Sequence, residues 1–198
     1  MPTIPALFIH CMNKDDQVPF FHQFENQAWT SFTKKEAYEA VSGTVQRLYS
    51  LGVRKGSVVA ICAQTSTAWA VLDLSIQSLG AISVGIYPTL TPEDIDAQLR
   101  DSGATVLVVE DEAMYLRLEQ VIEDNWDIMH VLSFVECDGV LPLLPAEPDN
   151  DFFVQQVSLV QESDVACIVY TSGTTGVSKG VPLTHKKVVY NIRSMVSY

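Results

Sequence analysis

Between Arg117 and Lys179 the chain has no lysine or arginine, while the 61 residues carry eleven acids. The imbalance extends to the whole protein, where 12 basic residues face 24 acidic ones for a net charge of −12. A nucleic-acid binder needs a basic face to match phosphates, so that class of partner is excluded. The acidity serves solubility; any anionic ligand would depend on local donors rather than on the overall field. Cysteine is also sparse. Four stand at positions 11, 62, 137 and 167 with no C-x-x-C pair, which argues against both a disulfide framework and a zinc site. Cys62 and Cys167 fall inside apolar runs and read as buried thiols. The N-terminus lacks a basic segment followed by a long apolar core, and no apolar run approaches membrane-spanning length. A cytoplasmic protein is expected. Internal repeats and low-complexity tracts are missing too.

What is present suits a globular α/β protein. The 198 residues are enough for a substantial core, and 47% of them are hydrophobic. Residues 3–13 have the pattern of a short amphipathic helix. Phe20 to Phe24 and Ala28 to Phe32 read as two strands that can pair. Thr33 and Glu36 form a capping box ahead of Ala37, Val41, Val45 and Leu48 at helical spacing, with Gly52 as the stop. Then strand and helix alternate. Val58 to Cys62 is a strand, Ser66 to Leu79 a helix, Ile82 to Ile86 a strand, and Thr91 the cap of a helix that runs to Gly103. Thr105 to Val109, a helix through Met114, Leu118, Val121 and Ile122, and Ile128 to Phe134 follow. Trp69 and Leu72 read as core residues. This alternation predicts a mostly parallel, doubly wound α/β sheet with flanking helices. From Val135 to Ser163 the pattern loosens. Three prolines and the acidic run Glu147 to Asp151 read as a long solvated connection, with no metal needed to explain the acids.

The stretch with the most chemistry is Asp164 to His185. Val165 to Tyr170 is an unbroken apolar run, the pattern of a strand buried on both faces. It leads directly into Thr171, Ser172, Gly173, Thr174, Thr175 and Gly176. Four hydroxyls and two glycines in six residues let a backbone bend closely around a ligand and offer it many donors. Lys179 follows three residues later, a point charge suited to phosphate oxygens. Val181 to Leu183 reads as a short strand, and Thr184 starts a helix with Val188, Ile192, Met195 and Val196 on one face. Strand, donor-rich loop and lysine suggest a polyphosphate cradle. An ordinary Ser/Gly turn with a surface lysine would need only two turn residues. A Walker A loop needs G-x-x-x-x-G-K-[ST] with a helix straight after it, whereas Gly180 and a strand pattern follow Lys179 here.

The run from Tyr170 to Val181, YTSGTTGVSKGV, resembles the signature phosphate loop of the AMP-forming, adenylate-forming superfamily, which includes acyl-CoA synthetases, luciferases and peptide-synthetase adenylation domains. Ser178 stands where that family usually has proline, and Gly85 replaces another frequent proline. The stretches from Leu51 to Ile61, Leu79 to Glu93 and Asp101 to Ala104 resemble further blocks of acyl-CoA synthetases. Ile86 to Thr89 and Leu183 to His185 look most like synthetases for fatty or other acyl acids. The resemblance implies ATP-dependent activation of a carboxylic acid and transfer to coenzyme A. Thr171, Ser172, Gly173, Thr174, Thr175, Gly176 and Lys179 would bind the phosphates, Lys179 as a candidate catalytic residue and Thr171 also contacting magnesium. Two other readings stay open: a carrier protein as the acyl acceptor, or a non-catalytic protein that keeps the fold. Family members are longer, so residues 1–198 are expected to be the amino-terminal part of a larger adenylate-forming domain. Its apolar last helix would leave a face on which the chain could self-associate.

Overall fold

A computed structural model describes residues 2–12, 18–25, 27–138, 140–171 and 178–196. The chain opens with α1 (Ile4–Met12) and an antiparallel pair, β1 (Pro19–Glu25) and β2 (Ala28–Thr33). Then come α2 (Lys34–Ser50), β3 (Val58–Cys62), α3 (Thr67–Ser78), β4 (Ile82–Ile86), α4 (Pro92–Ser102), β5 (Val106–Val109), α5 (Glu112–Asp124) and β6 (His130–Ser133). The last elements are β7 (Leu141–Pro142), α6 (Asn150–Ser158), β8 (Val165–Thr171), β9 (Lys179–Thr184) and α7 (His185–Val196).

The caps form where the side chains dictate. Thr33 and Glu36 make the reciprocal capping box at the start of α2. Ser66 and Thr91 cap α3 and α4, and Gly103 ends α4 in the left-handed conformation. The large sheet runs β7-β6-β5-β3-β4-β8-β9, parallel throughout except for β9, which is antiparallel to β8. Helices cover both faces, so the central strands are apolar on both sides, and all four residues of β5 are buried. The two-residue period of β3 divides the core. Val59 and Ile61 pack with Val41, Leu48, Leu72, Ile76 and Phe153, whereas Ala60 and Cys62 pack with Ile95, Leu99 and Leu118. The doubly wound α/β fold expected from the alternation is the fold observed.

Three expectations need correction. The segment from Val135 to Ser163 is more than a solvated connection. Asp149 accepts the Phe152 amide at 2.9 Å and caps α6, whose Phe153 and Val157 pack inward, one turn apart. The acids there begin a helix, where negative charge is favourable. Residues Leu141 and Pro142 add a short edge strand, a position where proline is tolerated. β8 is not buried on both faces: Ala166 is fully buried, but Val169 is 44% exposed. It lies one strand from the sheet edge, and among the described residues its outer neighbour is the largely exposed β9. In α7 the inward residues are His185 and Val189, one turn apart, while Ile192 and Met195 are exposed.

The connection that leads to α6 leans on α2 at Gly43. The Ala146 amide donates to the Gly43 carbonyl at 3.1 Å, and a Cβ at position 43 would collide with the Ala146 carbonyl oxygen. Gly43→Ala is therefore expected to destabilise the protein by about 1–3 kcal/mol through overpacking, although helix propensity alone favours alanine by about 1 kcal/mol. Urea unfolding of the variant measures the sign; a stabilised protein would show that the connection yields.

Candidate functional site

The parallel register of β4 with β8, Ser83 opposite Cys167 and Val84 opposite Ile168, brings the carboxyl end of β8 beside the carboxyl ends of β3 and β4. In open α/β sheets ligands bind beyond these ends. The chain moves from β3 out to β4 and then to β5 on the other side of β3, so the winding reverses in this region.

β9 returns antiparallel to β8 in a register that pairs Thr171 with Lys179, Tyr170 with Gly180 and Val169 with Val181. Residues directly opposite in such a ladder project from the same face. Thr171 and Lys179 are thus neighbours on one face, both exposed, at the two ends of the hydroxyl-rich segment. Ser172, Gly173, Thr174, Thr175 and Gly176 lie outside the described residues. Among the described residues no carboxylate lies within ion-pair reach of Lys179. Ser178 is exposed beside it.

Polar contacts fix the start of this hairpin. Lys55 Nζ lies 2.6 Å from Asp164 Oδ2 and also donates to the Leu159 carbonyl. Burial works against the charged form of Asp164, but hydrogen bonds from Lys55 and the Gln161 amide hold its pKa below the usual value. His185 is fully buried. Its backbone amide donates to the Asp164 carbonyl at 3.0 Å, and its Nδ1 accepts the Ile4 amide at 3.4 Å. That acceptor role requires a neutral ring protonated on Nε2.

Beside the hairpin a cavity of about 450 Å³ is lined by Trp69, Asp73, Tyr87, Cys167, Tyr170 and Val188, among others. Trp69 is half-buried: it packs against the core, as expected, and also faces the cavity, whereas Leu72 is fully buried. Gly85 is what admits the indole, since a Cβ there would come within 3.3 Å of Trp69 Cζ2. Cys62 is a buried thiol, as expected, but Cys167 is half-exposed to the cavity. Asp73 accepts from Ser83 Oγ at 2.5 Å and from Gln77 Nε2 at 2.8 Å. Burial raises its pKa despite both bonds. Asp73 is the one charged residue of α3, the signal by which it could have been found from the sequence.

Residues 8–198 match the family described as AMP-binding enzyme. The chain belongs to that family. It is 30% identical over 200 residues to the long-chain-fatty-acid–CoA ligase FadD15 of Mycobacterium bovis, covering 99% of this chain and 33% of that protein. It is 34% identical over 167 residues to the 4-coumarate–CoA ligase-like 9 protein of Oryza sativa, covering 83% and 29%. The crystal structure of the anthranilate CoA ligase AuaEII with anthranoyl-AMP superposes with a TM-score of 0.66 at 29% identity, covering 79% of this chain and 30% of that one. The chain thus spans about a third of the length of the relatives it matches. Among the described residues no helix is long and apolar enough to cross a membrane.

His185 gives the site a pH dependence. Burial pushes its pKa down to about 4, outweighing the nearby Asp164 carboxylate. The unfolded ring titrates near 6.5, so the unfolded chain binds the extra proton first as pH falls. The stabilisation is complete above about pH 6.5 and is lost as pH drops through 4, by up to about 3 kcal/mol. Urea unfolding of wild type and His185→Gln at pH 7 and pH 4 should show a smaller acid loss in the variant. Equal losses would show that His185 does not stay neutral in the fold.

Proposed function

We propose that the whole protein is an ATP-dependent, AMP-forming ligase that activates a fatty or other acyl carboxylic acid and transfers it to coenzyme A. The observation that carries this reading is the Thr171–Lys179 pair, which closes the hydroxyl-rich segment at the carboxyl end of the sheet. A carboxylate oxygen of the substrate attacks the α-phosphorus of ATP, the bond to the bridging oxygen breaks, and pyrophosphate leaves. The thiolate of coenzyme A then attacks the acyl carbonyl and AMP departs. Most of the rate in such displacements comes from positioning and charge neutralisation. Thr171, Ser172, Gly173, Thr174, Thr175 and Gly176 would donate to the phosphates, and Lys179 would offset charge on the departing pyrophosphate.

Magnesium commonly binds nucleotide phosphates with one or two protein ligands. The exposed hydroxyl of Thr171 fits one such position, and the bound ion would neutralise phosphate charge. The relatives named as a long-chain-fatty-acid–CoA ligase and a 4-coumarate–CoA ligase-like protein support an acid substrate with coenzyme A as acceptor. A carrier protein as acceptor would show as adenylate formation without acyl-CoA.

Lys179→Ala in the whole protein should slow pyrophosphate release at saturating ATP by about 10- to 100-fold, the worth of a hydrogen bond to a charged group. An unchanged rate removes the role assigned to Lys179. Residues 1–198 alone are expected to make no acyl-CoA and to bind ATP weakly, because phosphate donors form only one end of a nucleotide site. Calorimetry with ATP and magnesium, with a thioester assay on the same sample, checks both; thioester formation would place the whole site within these residues.

A further inference from the structure

The face of β8 opposite Thr171 carries a second arrangement. The Tyr170 hydroxyl donates to Asp101 Oδ2 at 2.7 Å, with the Gln98 carbonyl at 3.2 Å, so the ring is tied to the last turn of α4. Across the ladder its partner is Gly180, the residue after Lys179. A Cβ on Gly180 would lie 3.1 Å from Tyr170 Cζ and 3.0 Å from Ile168 Cγ2, so the ring occupies the space a side chain there would need. An aromatic ring over a cross-strand glycine pins register. Burial and the Asp101 carboxylate both raise the Tyr170 pKa, which keeps the phenol a donor.

We propose that Tyr170, held by Asp101, is a positioning residue: its ring on Gly180 fixes the first residues of β9 and so aims Lys179 at the phosphates without touching the nucleotide. The link runs from α4 through Asp101 and Tyr170 to Gly180 and the adjoining Lys179. It couples the helix after β4 to the lysine at the head of β9, two elements 77 residues apart by the numbering of Ser102 and Lys179. This role rests on the ligase reading above, but the clamp itself is a property of the fold.

The test uses the whole protein with three variants. Tyr170→Phe keeps the ring and removes the hydroxyl, Asp101→Ala removes the acceptor, and Asp101→Asn keeps an acceptor oxygen. Per folded molecule, Tyr170→Phe should lower kcat for pyrophosphate release about three- to tenfold, the order one hydrogen bond supplies. The KM of the acid should stay unchanged. Asp101→Ala should match it, the double variant should be no slower than either, and Asp101→Asn should recover most of the rate. Amide exchange of Lys179 to Val181 should quicken in Tyr170→Phe and Asp101→Ala. An unchanged kcat in Tyr170→Phe, or losses that multiply in the double variant, overturns the positioning role. If wild type itself releases no pyrophosphate with fatty or aromatic acids, the ligase reading fails instead. The clamp is then judged by exchange alone: faster exchange in both variants upholds it, and unchanged exchange overturns it.

Discussion

The register of β8 against β9 is the constraint on which the site depends. A slip of one residue along an antiparallel ladder turns every side chain of the moving strand to the other face. Lys179 would then leave the face it shares with Thr171, and Tyr170 would lose the glycine it covers. The alternation of β8 cannot set that register alone, because no β9 residue is fully buried and β9 lies at the sheet edge. Weak burial makes register weakly specified. Local contacts make up the difference: the Thr184–His185 corner is tied to Asp164 by a backbone bond, Asp164 to Lys55, and Tyr170 to α4. The Lys55–Asp164 pair is part-exposed, so it is worth at most about 1 kcal/mol. Its value is placement.

The bulk of the stability lies elsewhere, in the two apolar layers that flank β3, β4 and β5. Those layers fix where the carboxyl end of β4 sits, and the short parallel pairing of β4 with β8 carries that position to Thr171. One polar network crosses this route. Asp73, on α3, takes hydrogen bonds from Ser83 of β4 and from Gln77. The carboxyl is half-buried at the cavity wall, and its desolvation outweighs the two donors and raises its pKa. The network therefore orients α3 on β4 rather than adding much stability.

How much of this the sequence displayed follows from the range of the forces involved. Capped, periodic segments were legible nearly to the residue: Thr33 and Thr91 cap the helices they were expected to start, Ser66 caps α3 one residue before its first turn, and β3 and β4 match their apolar runs. α6 was hidden because its two inward residues, Phe153 and Val157, form too short a period to stand out from the acids and prolines before them. The signal was there in Asp149 three residues ahead of Phe152, the spacing of a cap. In the site, the order strand, hydroxyl segment, lysine was readable because it is local in sequence. Asp101 was read only as part of a block, and its bond to Tyr170 spans 69 residues, a separation that no periodicity encodes. His185 was equally opaque: its ring accepts the amide of Ile4, 181 residues away.

The charge distribution resolves the apparent conflict between an acidic protein and an anionic ligand. Residues 165–198 contain Lys179, Lys186, Lys187 and Arg193 and no acid at all, within a chain of net charge −12. The eleven acids between Arg117 and Lys179 belong largely to α5, the segments around β6 and β7, and the start of α6. In the sheet β6 is five strand positions from β9, which at about 4.8 Å per strand is roughly 24 Å. The Debye length at physiological salt is about 8 Å, so that negative edge is screened from Lys179 nearly threefold over. The two acids nearest the hairpin in sequence, Glu162 and Asp164, are paired with Lys186 and Lys55. The doubly wound order thus keeps most of those eleven acids away from β9, and the carboxylate that does reach the hairpin, Asp101, is hydrogen-bonded to the Tyr170 hydroxyl on the face opposite Lys179.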